Sequence, residues 1–317
     1  MKKIVITACI YVVFITIIIP IFSVYFTGGL GTSPKEPFKT VKVYVKDEDK
    51  VVEMDTSQYL KEVVGAEMPA SFHDEALKAQ AVAARTYLCS KKKKGGEAPE
   101  HKGAPVCTDY THCKAWLSEA DRKEKWEEDK REEYWKKISK AVEATAGEIV
   151  TYEGEPISAL FHSTSSGRTE NAGDVWSKDV PYLVSVESRG DELSPKFNSE
   201  FVCTEYEFRA KVSEKVQNTD WNSMLYENII RSEAGGIKKI TLGGVEVKGT
   251  VFREIFGLRS ANVEIEQNGE QIIMKVKGNG HGVGMSQYGA DFMASNGSTY
   301  EEILKYYYTG TKLEKAP

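Results

Sequence analysis

From residue 41 apolar and polar positions alternate, Val41, Val43 and Val45 against Lys42, Tyr44 and Lys46, which predicts a strand with one covered face. Residues 47–50 (DEDK) turn the chain into a partner strand. At Leu60, Val63 and Val64 the period becomes helical, with Gly65 as the expected left-handed terminator. Pro69 biases Met68 toward extended backbone, and Ser71 with Asp74 resembles a capping box opening a second helix. That helix carries Lys78, Ala81, Val82 and Arg85 on one face and Leu77, Ala81, Ala84 and Leu88 on an overlapping apolar face. Glu67 falls outside both helices, on the turn between them.

Residues 116–146 are dense in charge, with Glu127 and Arg131, Glu132 and Lys136, and Glu133 and Lys137 at i,i+4 spacing. They predict one long surface helix stopped by Gly147, its Trp116, Trp126, Tyr134, Trp135, Ile138 and Val142 facing inward. Two hairpins are expected, one about Glu153-Gly154 joining 149–152 to 156–161, the other about Asn268-Gly269 joining 263–266 to 272–276. Thr204 with Glu207 forms a second capping-box pattern, opening a helix to about Val216, and 250–256 is a shorter helical piece. Helices and antiparallel strands mix without βαβ alternation, so the expected class is α+β. A polar segment at 188–195 (SRGDELSP) suggests a division near 190, into sub-domains 41–190 and 191–317.

The 317 residues suffice for one large or two modest domains. Residues 4–26 are uncharged and rich in Ile and Val behind Lys2 and Lys3, which predicts a membrane-spanning anchor at 1–26. No small-x-small exit follows in FSVYFTGG, so the anchor is expected to remain uncleaved. The positive-inside rule then leaves the N-terminus cytoplasmic and sends the remainder, through a Gly/Pro linker at 27–40, to the extracytoplasmic side of the cell membrane. A formal net charge of −5 argues against a nucleic-acid partner. The one basic run, residues 91–94, follows a helix end, where cations suit the dipole.

Of five cysteines, Cys107 and Cys113 form a close pair within HKGAPVCTDYTHC. With His101 and His112 they place thiols and imidazoles within one short loop, a zinc-type ligand set. His112 adjoins Cys113, and neighbouring side chains commonly diverge, so His101 is the preferred third ligand. Three protein ligands would leave an open, catalytic type of position; Asp109 or a distant residue could instead be the fourth. A Cys107–Cys113 disulfide and free buried thiols are the rival readings.

The segment GAEMP followed by EALKAQAVAARTYL, residues 65–69 and 75–88, resembles the amidase-enhancer and stage II sporulation protein D family. Two further blocks strengthen the resemblance: SALFHSTSSGRTENAGDVW (158–176) with PYLVSV (181–186), and GNGHGVGMSQYGA (278–290) with YEEILKYYYTG (300–310). It covers nearly the whole chain beyond residue 40. It implies two sub-domains around a glycan-binding groove and a lytic transglycosylase, which cleaves peptidoglycan strands between N-acetylmuramic acid and N-acetylglucosamine without water, in wall remodelling during engulfment. Glu67, the acid of GAEMP, would be the lone acid/base. Lys78 and Arg85 would position substrate, unless they pair with local acids such as Glu75. His162, Ser163, Ser165, Ser166 and Asn171 would hydrogen-bond sugar groups, and His281, Gln287 and Tyr288 would line a sugar-binding rim. The implied partners are a sporulation amidase and a membrane scaffold protein. A zinc amidase or peptidase, and a non-catalytic glycan-binding enhancer of an amidase, are the competing readings.

Overall fold

The alternation at the start of the folded part forms strand β1 (Thr40–Val45), its three valines buried. Asp49, in the left-handed region at φ 51°, helps return the chain as antiparallel β2 (Lys50–Asp55). The computed structural model describes residues 35–93, 95, 99–222 and 224–316. The expected membrane span, with Cys9, lies outside the described residues, as do Lys94 and most of the linker. Among the described residues no helix is long and apolar enough to cross a membrane.

Helix α1 (Thr56–Glu67) is capped by Asp55, whose carboxylate accepts from the Gln58 N–H at 3.0 Å. It runs through Gly65, the residue expected to stop it. There the missing side chain serves packing: a Cβ would lie 3.5 Å from Ile138 and 3.6 Å from Trp135. The helix ends instead at Met68, extended at φ −119° and ψ 140°, as the following Pro69 demands. Glu67 is therefore the last helical residue rather than part of the turn. Helix α2 (Asp74–Lys93) is opened by His73, not Ser71: the His73 Nδ1 accepts from the Glu75 N–H at 3.2 Å and its carbonyl from the Leu77 N–H. Most of α2 is buried, which makes it the axis of the first core.

Strand β3 (Val106–Cys107) joins β1 in parallel. The expected long helix is broken into α3 (Glu119–Glu124), a 3-10 turn (Glu128–Lys130) and α4 (Arg131–Ala144). Ser118 caps α3, and Trp126 turns inward between the two pieces to pack on Tyr134 at 5.5 Å and under Arg122. The inward set expected from the sequence is half-buried or buried throughout. Strands β4 (Glu148–Tyr152) and β5 (Glu155–Pro156) make the first hairpin, with Glu153 and Gly154 both at positive φ. A two-residue strand, β6 (Phe161–His162), and α5 (Ala172–Trp176) follow.

The chain then builds a second apolar cluster from β7 (Asn198–Thr204), α6 (Glu205–Lys215), β8 (Tyr226–Arg231), β9 (Ile237–Leu242), β10 (Val245–Lys248), α7 (Gly249–Phe256), β11 (Asn262–Asn268) and β12 (Gln271–Lys277). The Thr204–Glu207 capping box opens α6 as expected. The β11–β12 hairpin turns one residue beyond Asn268-Gly269, with Asn268 paired to Gln271. Both three-stranded sheets here are antiparallel, in the orders β10-β9-β8 and β11-β12-β7. Afterwards β13 (Met285–Ser286), α8 (Gln287–Ser295), α9 (Tyr300–Tyr307) and β14 (Lys312–Lys315) return to the first cluster, β13 beside β6 and β14 beside β4. Residues 36–317 form one compact unit with these two cores. Mixed helices and antiparallel sheets make it α+β.

Candidate active site

Glu67 sits where α1 meets the proline turn, half-buried above Met68, which is only 1% exposed. Its Oε1 accepts from the backbone N–H of Ala115 at 2.7 Å, while Oε2 has no hydrogen-bond partner among the described residues. Burial raises the carboxyl's pKa; the Lys114 charge and the Ala115 N–H oppose that shift without cancelling it. Lys114 is itself buried, its Nζ 3.7 Å from the centre of the Phe161 ring and 4.8 Å from that of Tyr87. Desolvation pushes its ammonium down to about 8, with Glu67 pulling the other way.

The cations expected to position substrate, Lys78 and Arg85, are engaged elsewhere. Lys78 pairs with Glu75 at 2.6 Å on the same helix and lies near the Tyr300 ring. Arg85 is fully buried. Its Nε and Nη2 grip Glu36 at 2.6 and 2.8 Å, and its terminal nitrogens also donate to the Val142 carbonyl and the Thr145 hydroxyl. That guanidinium is consumed by the core and cannot reach a substrate, which corrects the substrate-binding expectation. For Lys78 the local ion pair is the arrangement found.

His101, Cys107, His112 and Cys113 converge, their ligand atoms all within 4.8 Å of one another. The His101 Nε2 lies 2.6 Å from the His112 Nδ1, and the Cys113 Sγ is 3.7 and 3.8 Å from these same nitrogens. Adjacency does not make His112 diverge from Cys113, because a tight turn in which both N–H groups donate to the Asp109 carbonyl redirects them. Asp109 is not a competing ligand, since its carboxylate accepts from Thr111 and pairs with Lys46 at 2.5 Å. His101 Nδ1 bonds the Ala104 carbonyl at 3.2 Å, which puts the proton there and frees Nε2. Cys107 and Cys113 are free thiols, and burial pushes Cys107 up to about 11, so its thiolate would need a cation. Two thiols and two imidazoles in this geometry fit zinc.

Parallel pairing of β6 with β13 brings the other two sequence blocks together. The His162 and His281 rings lie 5.6 Å apart, and His281 lies 5.2 Å from Trp176. A Cβ on Gly280 would come within 2.7 Å of that of His162, and its φ of 124° is one that side chains avoid. Burial lowers His162 to about 4 and His281 well below the usual imidazole range, so both are neutral. His162 bonds the Val283 carbonyl through Nδ1, and its buried Nε2 has no partner. Several expected sugar contacts are instead committed to the fold. Ser165 donates to the buried Asp191, Asn171 bonds Asp174 and the Ser185 N–H, and the Gln287 side chain meets Gln80 at 3.3 Å. Ser166 donates to the Ala234 carbonyl, Ser163 bonds Thr164, and Tyr288 packs edge-on against Phe72.

Between the two cores a cavity of about 110 Å³ is lined by Ser165, Ser166, Glu170, Trp176, Arg253 and His281, among others. Glu67 is not part of its wall. The link is Lys114, whose charge acts on Glu67, His162 and His281 alike.

A profile of the family described as SpoIID, stage II sporulation protein, matches residues 44–152, the stretch that holds Glu67 and the Cys/His cluster. Over 277 residues the chain is 39% identical to the "Stage II sporulation protein D" of Bacillus subtilis (strain 168), covering 87% of this chain and 79% of that protein. The chain belongs to the SpoIID family. It is also 38% identical to the Bacillus amyloliquefaciens protein of the same name over 290 residues, 92% of this chain and 83% of that one. An "Amidase enhancer" of Bacillus subtilis (strain 168) is 28% identical over 308 residues, 80% of this chain and 40% of that protein.

Within this SpoIID-family chain the geometry thus offers, at Glu67, a carboxyl whose protonated form burial favours, a buried cation beside it, and a four-residue metal-type cluster immediately preceding that cation. Sequence reasoning missed Lys114, Glu170 and Arg253. Lys114 follows directly on Cys113, but no linear spacing connects it to Glu67. Glu170 stands inside a quoted block, whereas Arg253 lies on α7 with no local mark of a site.

Proposed function

We propose that this protein is a peptidoglycan lytic transglycosylase of sporulation, breaking the bond between N-acetylmuramic acid and N-acetylglucosamine with Glu67 as the sole acid/base. The observation that carries this reading is a carboxyl with a raised pKa, one oxygen fixed by Ala115 and the other open, with no carboxylate among the charges acting on it. A glycoside hydrolase needs a second carboxylate as nucleophile or to activate water. A lytic reaction does not. The protonated Glu67 gives its proton to the glycosidic oxygen as the bond to the anomeric carbon breaks. The resulting carboxylate takes the proton of the same sugar's 6-hydroxyl, whose oxygen closes the 1,6-anhydro ring, and the acid is regenerated.

Lys114 fits this cycle without carrying a proton. Its charge opposes protonation of the resting acid, yet stabilises the carboxylate that forms as the leaving group departs, when stabilisation accelerates the reaction. We further propose that His101, Cys107, His112 and Cys113 hold zinc. A bound ion would supply positive charge to the thiolates and fasten the loop. Four protein ligands form a closed, structural type of site, which argues against a zinc amidase using metal-bound water. Because Lys114 and Ala115 follow Cys113 directly, the fastened loop would keep the cation and the N–H donor on Glu67.

The expected span at 4–26 would tether the enzyme with its working part on the wall side. Similarity to a protein named amidase enhancer supports a place beside an amidase; a membrane scaffold that gathers the two is a further part of the proposal. The test is to incubate the full chain, in detergent, with amidase-treated sacculi and identify the products by mass. Anhydromuramyl ends that disappear with Glu67→Gln support the proposal. Water-added reducing ends would demand a hydrolase, and stimulation of an amidase that survives Glu67→Gln without strand cleavage would indicate a non-catalytic enhancer.

A further inference from the structure

The segment that delivers Lys114 and the Ala115 N–H to Glu67 is irregular backbone. Residues 114–118 lie between the Cys/His turn and α3, in neither helix nor strand. Two acids of α1 hold this segment instead. One is Glu67, which accepts from the Ala115 N–H at 2.7 Å. The other is Glu62, more than a turn earlier on the same helix and only 7% exposed. Its Oε2 accepts from the Trp116 Nε1 at 2.8 Å, and its Oε1 from the Glu119 N–H at 3.2 Å and the Gln58 Nε2 at 3.0 Å. The Gln58 amide also reaches the Glu119 carboxylate at 3.3 Å, so it spans both acids. The segment therefore runs antiparallel to α1, meeting Glu67 first and Glu62 next.

Place along the helix sets what each acid contributes. Glu67 is the last residue of α1, where the hydrogen-bond ladder runs out. Glu62 lies inside the ladder, on the rigid part of the helix. A hydrogen bond between Ala115 and Glu67 alone would join an irregular segment to a helix end. With Glu62 added, the segment is held to the helix interior, and the Ala115 contact follows from that. The chemistry of the anchor is also specific. An indole N–H and a backbone N–H converge on different oxygens of Glu62, which a carboxylate satisfies and an amide does not, because its NH2 would face one of the donors. The Trp116 ring packs against the first core, which fixes the direction in which its N–H points.

We propose that Glu62 is a positioning residue for strand cleavage: by holding Trp116 and Glu119 it keeps the Ala115 N–H on Oε1 of Glu67 and the Lys114 ammonium beside that carboxyl. The inference rests on the strand-cleaving role proposed for Glu67 and extends it to a residue that transfers no proton. Both groups that Glu62 places favour the carboxylate form of Glu67. They matter most as the proton leaves for the glycosidic oxygen, when negative charge develops on Glu67. A segment released from Glu62 loses that stabilisation, and the resting acid then stays protonated to higher pH.

The test compares Glu62→Gln with Lys61→Met, a change at the neighbouring residue, whose ammonium pairs with Glu143 instead. The full chain, in detergent and isotope-labelled at alanine nitrogens, is observed by NMR, with the Ala115 signal assigned by its loss in Ala115→Gly. An amide donating to a carboxylate at 2.7 Å has a proton resonance far downfield. Glu62→Gln should move that resonance upfield, lower kcat on strands from amidase-treated sacculi about tenfold with KM unchanged, and shift the alkaline limb of the pH–rate profile upward. Lys61→Met should change none of these. Trp116→Phe, which removes a single hydrogen bond from Glu62, should give smaller changes of the same sign and replaces Glu62→Gln if that variant melts below the assay temperature. An Ala115 resonance unmoved by these substitutions, or one that moves while kcat and the alkaline limb stay in place, would overturn the proposal. A parent protein that forms no anhydromuramyl ends would instead defeat the strand-cleaving role, with the Ala115 resonance still reporting whether Glu62 sets that N–H.

Discussion

Replacing Glu36 by glutamine should destabilise the protein far more than its place at the edge of the described chain suggests. Arg85 is wholly buried, and Glu36, itself 10% exposed, provides its only carboxylate among the described residues through two hydrogen bonds of 2.6 and 2.8 Å. Removing one partner of a buried pair strands the other's charge, at a cost of about 3–5 kcal/mol. Three neutral acceptors remain, the Val142 and Glu148 carbonyls and the Thr145 hydroxyl at 3.0, 3.4 and 3.3 Å, which favours the lower end of that range. For a unit of this size, ~3 kcal/mol lowers the melting temperature by about 6–12 °C. The assay is thermal melting of the full chain by circular dichroism, with strand cleavage measured well below the transition. Glu36→Gln should melt early yet cleave normally per folded molecule, and Glu36→Leu with Arg85→Met together should recover most of the loss, because an apolar pair substitutes well for a buried ion pair. A Glu36→Gln protein that melts like its parent, together with an Arg85→Met protein that stays folded but cleaves nothing, would refute this reasoning and return Arg85 to the substrate.

Glu67→Gln should lower strand cleavage by about 10²–10⁴-fold while leaving the melting temperature nearly unchanged, as quantified by anhydromuramyl product mass. Because burial raises the Glu67 pKa and the protonated acid begins the reaction, cleavage should fall as pH rises through that raised value; Lys114→Met removes a charge favouring the carboxylate and should move this alkaline limb upward in a pH–rate profile. The full chain should bind one equivalent of zinc by elemental analysis, and a chelator or Cys113→Ser should lower both melting temperature and cleavage. Gly280→Ala should cost at least about 1 kcal/mol in denaturant melts, from its positive φ and the His162 contact.

The elements readable from sequence were those whose causes are local. The Glu153-Gly154 hairpin and the Thr204–Glu207 capping box depend on residues a few positions apart, and both appear where expected. The Cys/His loop is similar, with all four side chains inside one short segment. Gly65 shows the limit: a glycine that ends a helix and one that admits a neighbouring helix look identical in sequence, and only Ile138 and Trp135 across the contact decide between them. The helix expected over 116–146 failed because Ser118 starts a new cap and Trp126 leaves the helical path to fill the core. Arg85 carried the right charge on the right face, but its partner stands forty-nine positions earlier. Lys114 reaches Glu67 across a comparable separation. Folded proximity, invisible to spacing, assigned Arg85 and Lys114 their surroundings.

The second cluster enters and leaves the protein through one doorway. Asn198 and Lys277 face each other across β7 and β12, and the Gly278 N–H donates to the Phe197 carbonyl at 2.7 Å. Eighty residues are thus spliced into the chain at a single seam, with the closure cost of that loop met by paired strands at its base. Substitutions confined to the interior of this insert should leave Glu67 and Lys114, which lie outside it, in place, while the cavity wall that includes Arg253 changes with them. Sequence drift in the insert is thereby uncoupled from the setting of the Glu67 carboxyl.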